Sequence, residues 1–292
     1  MPIQSVNGVK LYYEITGDGF PLVFNHEFGG DYRSWEPQVR FFSRRYKVIT
    51  YNVRGFPPSE VPADPEAYSE QKGVEDLYQL LRHLNVSKAH VVGLSMGGNL
   101  TLNFGFAHPE MCASLVVAGC GAGSKNREEY ERVTREAAER IEKGGMKAIV
   151  EPYSLGPTRV QFRRKDPRGW QEFRDQFEGH PPIGAALTLR GVQVRRPSIL
   201  SLETRLKSLP VPTLILVGDE DEACIEPAIF MKHHIPFSGL MIFPQSGHTL
   251  NLEEPCLFNS GISMFLTAVE GGIWAKRAPI PVPGTELMPA KQ

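Results

Sequence analysis

The strongest indication of the fold lies in residues 89–100, which read Ala89-His90-Val91-Val92-Gly93-Leu94-Ser95-Met96-Gly97-Gly98-Asn99-Leu100. Residues 89–92 predict a short buried strand, and residues 95–107 predict a helix. Between them, residues 93–97 read G-x-S-x-G, a pattern that chance alone places in roughly one chain in ten of this length. Its position makes it informative, because flanking glycines let a tight strand-to-helix turn hold a strained serine. The turn would present Ser95 at the carboxyl edge of a sheet, where open α/β sheets bind ligands.

The same alternation of strand and helix extends outward from this stretch in both directions. Helical periodicity occurs in residues 34–45, 69–84 and 254–269. Short runs of β-formers predict strands at residues 9–16, 21–25, 46–51, 114–117, 213–217 and 240–243. Alternating strands and helices imply right-handed crossovers, so the sequence predicts an α/β fold with a mostly parallel, doubly wound sheet.

One long interruption divides this pattern. From residue 124 to residue 207 strand signals vanish and charged helical stretches replace them, punctuated by glycine and proline. We interpret residues 124–207 as a helical cap inserted between two parts of the core, residues 1–123 and 208–270. Residues 271–292 are rich in proline without periodicity and predict an extended or disordered tail.

Composition narrows the class of protein. The chain has 292 residues, 41% hydrophobic and 22% charged, with a formal net charge of -1, so no overall field favours nucleic acid or an anionic membrane. Four scattered cysteines predict buried reduced thiols. With no visible signal peptide or membrane-spanning run, we expect a soluble cytoplasmic protein that acts on a small molecule. Phosphate-loop, dinucleotide and metal-ligand motifs are not found, so the sequence implies no cofactor and no metal. It leaves the oligomeric state open.

A serine nucleophile needs a base, and the base needs an orienting carboxylate. Two later loops can supply them, because each follows a predicted strand at the edge where Ser95 would lie. The first contains Asp219 and Asp221, and the second contains His248. Along the chain the three residues follow the order serine, acid, histidine, which is the order found in hydrolases whose nucleophile lies on a strand-to-helix turn. On the residues alone, either aspartate could be the acid.

At these residues the chain resembles the α/β-hydrolase superfamily, in its capped branch of esterases, lactonases and carbon–carbon bond hydrolases. The resemblance covers residues 9–269 and is carried by VFNHEFGG, GLSMGG, LVGDEDEACIEP and PQSGHTLNLEEP. It implies the α/β-hydrolase fold and a catalytic triad of Ser95, Asp221 and His248. Because the family's acid usually follows a strand-terminal glycine as G-x-x-D, the resemblance favours Asp221, with Asp219 as the second choice. It also implies that the backbone N–H groups of Phe28 and Met96 form the oxyanion hole.

One departure from the family pattern lies in the oxyanion loop. Where the family usually has glycine after histidine, this chain has Glu27. Either the Glu27 carboxylate faces solvent, or it helps to bind or position substrate, and we treat Glu27 as a candidate substrate-binding residue.

The basic side chains of the cap allow two interpretations in the same way. As a solvated face they would form mixed-sign pairs, whereas one or two inward arginines would bind a substrate carboxylate. The basic residues concerned are Arg159, Arg163, Arg164, Lys165, Arg168, Arg190, Arg195 and Arg196.

The sequence therefore predicts a serine hydrolase that cleaves a small carboxylic ester through an acyl-enzyme intermediate. A lactonase or carbon–carbon bond hydrolase acting on an acidic substrate is the enzymatic alternative. A non-catalytic small-molecule receptor of the same fold is the alternative from a different class, since a fold alone does not determine function.

Overall fold

The computed structural model describes residues 2–277, which form an eight-stranded sheet covered by helices. The strands are β1 (Ile3–Val6), β2 (Val9–Thr16), β3 (Phe20–Asn25), β4 (Tyr46–Tyr51), β5 (Ala89–Leu94), β6 (Cys112–Ala118), β7 (Thr213–Gly218) and β8 (Ser238–Phe243). Their order in the sheet is β1-β2-β4-β3-β5-β6-β7-β8. β1 and β2 form an antiparallel hairpin, β2 pairs antiparallel with β4, and all other neighbours are parallel. The predicted mostly parallel sheet is confirmed.

Twelve α-helices lie within the described residues, together with short 3-10 turns and one π-helical turn at Leu189–Gln193. Seven belong to the layers around the sheet: α1 (Glu36–Phe42), α2 (Glu70–His83), α3 (Met96–Ala107), α9 (Glu203–Ser208), α10 (Glu222–His234), α11 (Leu250–Glu253) and α12 (Pro255–Glu270). The other five follow one another between β6 and α9: α4 (Arg127–Gly144), α5 (Lys147–Ser154), α6 (Val160–Lys165), α7 (Pro167–Glu178) and α8 (Pro182–Thr188).

The central strand β5 shows why helices cover both faces of the sheet. Successive side chains of a strand point to opposite faces. Val91 and Val92 are both fully buried, yet they belong to two different apolar clusters, one on each face. A strand buried on both sides loses the polar alternation of an exposed sheet, which is the pattern that parallel sheets produce.

The segment between β6 and β7 has a small apolar cluster of its own, formed by Phe162, Trp170 and Phe173. Phe177 instead joins the larger core cluster that lies against the sheet. The boundaries of residues 124–207 as a separate cap stay a prediction.

Residues 271–277 have no regular secondary structure but make specific contacts. The Trp274 ring packs on Phe265 at a centroid distance of 4.7 Å, and its indole N–H donates to the Phe237 carbonyl at 2.8 Å. Arg277 donates to the carbonyls of Lys232 and His233. The rest of the predicted tail, residues 278–292, lies outside the described residues. None of the helices within residues 2–277 has the length and apolar content that a membrane crossing requires.

Candidate active site

Ser95 lies on the turn between β5 and α3 with φ 57° and ψ -111°, a conformation that costs a non-glycine residue free energy. Its backbone N–H donates to the Ala118 carbonyl of β6 at 2.8 Å, which fixes the turn against the neighbouring strand. The flanking glycines are needed for space. A Cβ on Gly93 would lie 2.0 Å from the Gly97 carbonyl oxygen, and one on Gly97 would lie 2.0 Å from the Asn25 carbonyl oxygen.

His248 and Asp221 meet where the loops after β8 and β7 come together. The Nδ1 atom of His248 lies 2.6 Å from Oδ2 of Asp221, and both residues are buried. Burial by itself would raise the pKa of Asp221, but the neighbouring imidazole and its hydrogen bond hold that pKa below its usual value. An ionised Asp221 accepts from Nδ1–H, which leaves Nε2 of His248 for proton transfer.

Asp219, the second candidate for the acid, has a different partner. Its Oδ1 atom accepts a hydrogen bond from the Ser246 backbone N–H at 3.0 Å. The structure therefore brings Asp221 to the imidazole, whereas Asp219 supports the loop that carries it.

A cavity of about 460 Å³ joins these residues, with Ser95, Asp221 and His248 in its wall. That volume lies within the range of small-molecule sites. Most of the wall is apolar and comes from the helical segment between β6 and β7, including Ile149 and Leu189. Polar side chains that the sequence did not single out also line it, among them Tyr130, Arg140, Tyr153 and Gln193.

The loop after β3 passes beside this cavity, and its Phe28 forms part of the wall. His26 holds the loop, because its Nδ1 lies 2.8 Å from the Glu27 carbonyl and its Nε2 accepts from the Val53 N–H at 3.2 Å. Within residues 2–277, no backbone carbonyl accepts from the N–H of Phe28 or Met96. Met96 is also the first residue of α3, where the helix dipole favours negative charge.

Glu27 does not face solvent, so the first of the two alternatives for this residue, a solvent-facing carboxylate, is wrong. The residue is 2% exposed and its Oε2 atom lies 2.6 Å from Nη2 of Arg159. The Tyr153 hydroxyl donates to the same carboxylate oxygen at 3.2 Å. A buried carboxylate requires such partners. Arg159, which supplies the compensating charge, comes from the helical segment between β6 and β7. Glu27 itself is not among the residues of the cavity wall.

Two of the eight basic side chains named above are buried in the cavity wall, namely Arg159 and Arg196. Arg196 donates to the Ala122 carbonyl at 3.0 Å and to the Tyr130 hydroxyl at 2.8 Å. Its Nη1 atom has no hydrogen-bond partner in the described part of the chain. Solvated pairs do occur elsewhere on the helical segment between β6 and β7, such as Arg190 with Glu142. The solvated-face interpretation therefore fails for Arg159 and Arg196.

One group of potential metal ligands occurs in residues 2–277, formed by Asp221, Cys224 and His248 with ligand atoms within 4.8 Å of one another. The carboxylate and imidazole atoms are only 2.6 Å apart. Two ligands of a tetrahedral zinc ion lie about 3.3 Å apart, given bonds of about 2.0 Å. Direct hydrogen bonding explains the group better than a shared ion. The other cysteines are also free thiols, and Cys256 is exposed rather than buried.

The class of protein follows from fold and sequence together. A family profile described as alpha/beta hydrolase fold matches residues 21–255, most of the chain. The protein therefore belongs to the alpha/beta hydrolase family.

Individual relatives within this family carry different activities. The 3-oxoadipate enol-lactonase 1 of Acinetobacter baylyi is 28% identical over 271 residues, which cover 92% of this chain and 97% of the relative. The 2-hydroxymuconate semialdehyde hydrolase of Pseudomonas sp. strain CF600 is 25% identical over 269 residues, 90% and 92% of the two chains. Among solved structures, a thermophilic esterase from Thermogutta terrifontis has a TM-score of 0.81 and 27% identity, with 92% and 99% coverage.

Proposed function

We propose that this protein hydrolyses small carboxylic esters through an acyl-enzyme intermediate on Ser95. The observation that carries the proposal is the 2.6 Å contact between His248 and Asp221 in the wall of the cavity that also contains Ser95. A strained serine, a base and an orienting acid in one pocket are the parts that acyl transfer requires. The esterase among the structural neighbours supports this choice of bond.

In the proposed mechanism His248 takes the proton of the Ser95 hydroxyl through Nε2 as Oγ attacks the ester carbonyl. Asp221 stabilises the imidazolium ion that forms. The Phe28 and Met96 N–H groups donate to the oxyanion of the tetrahedral intermediate. Collapse of the intermediate breaks the ester C–O bond, and the imidazolium returns its proton to the departing alcohol. Water, deprotonated by the same imidazole, then attacks the acyl-enzyme and releases the acid.

The first test is labelling by a fluorophosphonate, which reacts with an activated serine. Wild-type protein should be labelled, and labelling should disappear in Ser95→Ala and His248→Ala. Asp221→Asn should slow labelling by about 10³-fold or more, because it removes the acceptor that orients the imidazole. Asp219→Asn is the matched control and should slow labelling by less than about tenfold.

Folded wild-type protein that takes no label would contradict the hydrolase mechanism and favour a small-molecule receptor. Equal slowing in the two aspartate variants would contradict the role assigned to Asp221. A panel of simple esters, lactones and diketones would follow a positive result and identify the bond that is cleaved.

A second candidate is hydrolysis of a lactone or a carbon–carbon bond in a substrate that carries a carboxylate. Arg196 favours it. This guanidinium is 5% exposed and lines the cavity, and no described carboxylate lies within 4.0 Å of it. The buried Glu70 carboxylate attracts this cation from beyond that distance. Because Nη1 of Arg196 has no hydrogen-bond partner among the described residues, a substrate carboxylate would complete its hydrogen bonding. The relative named as an enol-lactonase supports this candidate. A comparison of kcat/KM for acidic substrates and for their neutral esters tests it.

A further inference from the structure

A buried ion pair joins the loop after β3 to the helical segment opposite it. Nη2 of Arg159 lies 2.6 Å from Oε2 of Glu27, and the two side chains are 2% and 1% exposed. Arg159 ends the 3-10 turn Pro157–Arg159. The Tyr153 hydroxyl accepts from Arg159 at 3.1 Å and donates to Glu27 at 3.2 Å, which closes a three-membered network. The pair is therefore held in one arrangement rather than merely adjacent.

The position of Glu27 creates an electrostatic problem for acyl transfer. The residue immediately precedes Phe28, whose N–H is expected to stabilise an oxyanion. An uncompensated carboxylate in a site of low dielectric would oppose a second negative charge nearby. The Arg159 guanidinium supplies the compensating charge, and it lies over the rings of Tyr153 and Phe173 at 5.1 and 5.2 Å. Those rings fix the cation in place through cation–π attraction and packing.

The same turn also contacts the loop that carries the base. The carbonyl of Thr158, next to Arg159, accepts a hydrogen bond from the His248 backbone N–H at 2.9 Å. A Cβ on Gly247 would lie 2.1 Å from that carbonyl oxygen, so only glycine permits the approach. Two consecutive residues of one turn thus touch the loop of the base and the loop of the oxyanion hole.

We propose that Arg159 is a positioning residue that neutralises Glu27 and thereby keeps the Phe28 N–H competent to stabilise the oxyanion. The turn Pro157–Arg159 couples the docking of the helical segment to the assembly of the catalytic centre. This inference rests on the proposed esterase function, but it concerns a charge pair outside the triad. Glu27 then serves the site through Arg159 and the loop, rather than by touching the substrate.

The experiment compares Arg159→Gln, Glu27→Gln and the double variant on a small neutral ester, with active sites counted by fluorophosphonate. Arg159→Gln should lower kcat by about 10- to 100-fold, near the effect of losing an oxyanion-hole donor, with KM within about threefold of wild type. The double variant should recover kcat to within about fivefold of wild type, because it removes the carboxylate together with its partner. Arg159→Lys keeps the positive charge and should retain most of the wild-type kcat.

A matched control is a second buried arginine–carboxylate pair, Arg54 with Asp76, whose closest atoms are 2.5 Å apart. Arg54→Gln should destabilise the fold but leave kcat per labelled site within about threefold of wild type.

Three outcomes would overturn the inference. They are an unchanged kcat in Arg159→Gln, a double variant as slow as Arg159→Gln, and an Arg159→Lys variant as slow as Arg159→Gln. Where Arg159→Gln does not fold, Arg159→Lys and Glu27→Gln decide the matter. Neither variant leaves an uncompensated carboxylate beside Phe28, so both should keep kcat within about fivefold of wild type, and a larger loss of kcat in either would overturn the inference. Failure of wild-type protein to take the label would instead contradict the proposed function.

Discussion

His26 fixes the conformation of the loop after β3 through two hydrogen bonds of its ring. Both ring nitrogens are committed, Nδ1 to the Glu27 carbonyl and Nε2 to the Val53 N–H. Accepting from an N–H requires an unprotonated Nε2, so this arrangement needs the neutral ring. Burial lowers the pKa of His26 from 6.5 to about 4, which keeps the ring neutral at physiological pH.

This depressed pKa predicts a loss of stability in acid. Between pH 6.5 and about 4 the unfolded chain binds a proton at His26 that the folded chain does not, so the free energy of unfolding should fall as the pH is lowered through this window. A shift of this size corresponds to about 3 kcal/mol. Burial lowers the pKa of His90 to about 4 as well, so it contributes in the same window. Urea unfolding at pH 7.5, 6, 5 and 4 measures the effect.

Two variants separate the contribution of His26 from other titrations. His26→Asn should show a shallower dependence of the free energy of unfolding on pH than wild type. His83→Gln changes an exposed histidine and should leave the dependence unchanged. The same dependence of the free energy of unfolding on pH in wild type and His26→Asn would contradict the inference that the His26 ring is neutral in the folded protein.

The sequence could name most candidate residues but not their surroundings. Ser95 and His248 follow from a local motif and from loops at strand ends, and these loops do meet at one cavity. The choice between Asp219 and Asp221 depends on which carboxylate reaches the imidazole, which two residues of one loop do not reveal. The burial of Glu27 depends on Arg159, a residue 132 positions away, so no local pattern could have predicted it.

The strand-to-helix turn at Ser95 depends on close approaches between backbone atoms of neighbouring strands and helices. Helix α3 packs on β5 and β6, and Gly97 in its first turn lies against the Asn25 carbonyl of β3. The strained φ of Ser95 persists because these contacts fix both sides of the turn.

Gly97→Ala should therefore be strongly destabilising. Its Cβ would lie 2.0 Å from the Asn25 carbonyl oxygen, a backbone atom that cannot move without disturbing β3. We expect a loss of about 3 kcal/mol or more in the free energy of unfolding, with loss of fluorophosphonate labelling.

Gly73→Ala is the matched control in helix α2, where the new Cβ would meet only the Cδ1 atom of Leu100 at 3.2 Å. Alanine favours a helix interior over glycine by up to about 1 kcal/mol, so this variant should be neutral or slightly more stable. Chemical unfolding of both variants measures the contrast, and equal losses would argue against a special role for the turn.

Elements with strong periodicity were predicted well, and those without it were missed. β4 (Tyr46–Tyr51) matches its predicted range, and the predicted helix at 69–84 is α2 (Glu70–His83). No strand is predicted at β1, whose four residues pair only with β2 at the edge of the sheet. No helix is predicted at α10 either, which contains Pro227 and follows an acidic loop. Tertiary packing overrides the local preference of that proline.

Two parts of the protein build the cavity, the core around the sheet and the helical segment between β6 and β7. The core supplies Ser95, Asp221 and His248, and the helical segment between β6 and β7 supplies the buried guanidinium of Arg196. The helical segment between β6 and β7 therefore contributes much of the cavity wall. Sequence periodicity could place its side chains on helices but not in the cavity.

Arg196 predicts a preference for substrates with a carboxylate. Arg196→Gln should raise KM for such a substrate by about 10- to 100-fold, since a charge-assisted hydrogen bond contributes about 1.5–3 kcal/mol. For the corresponding neutral methyl ester, kcat/KM should change by less than about threefold. Steady-state kinetics on the two substrates measures the difference.

The neighbouring Arg195 offers a matched control, because its side chain is 57% exposed. Arg195→Gln should leave KM unchanged for both substrates. A wild-type enzyme that prefers the neutral ester, or equal effects of the two arginine variants, would contradict a carboxylate subsite at Arg196.

The position of the helical insertion between β6 and β7 has a consequence for biosynthesis. A polypeptide emerges from the ribosome from its N-terminal end, so Ser95 and the loop of Phe28 are made before the insertion, and Asp221 and His248 are made after it. In the proposed mechanism a partly translated or truncated chain therefore displays a serine that no imidazole has activated. Ser95 becomes reactive towards acyl compounds only when β7 and β8 have joined the sheet. The order of these segments along the chain therefore delays activation of the serine until the last of them has been translated.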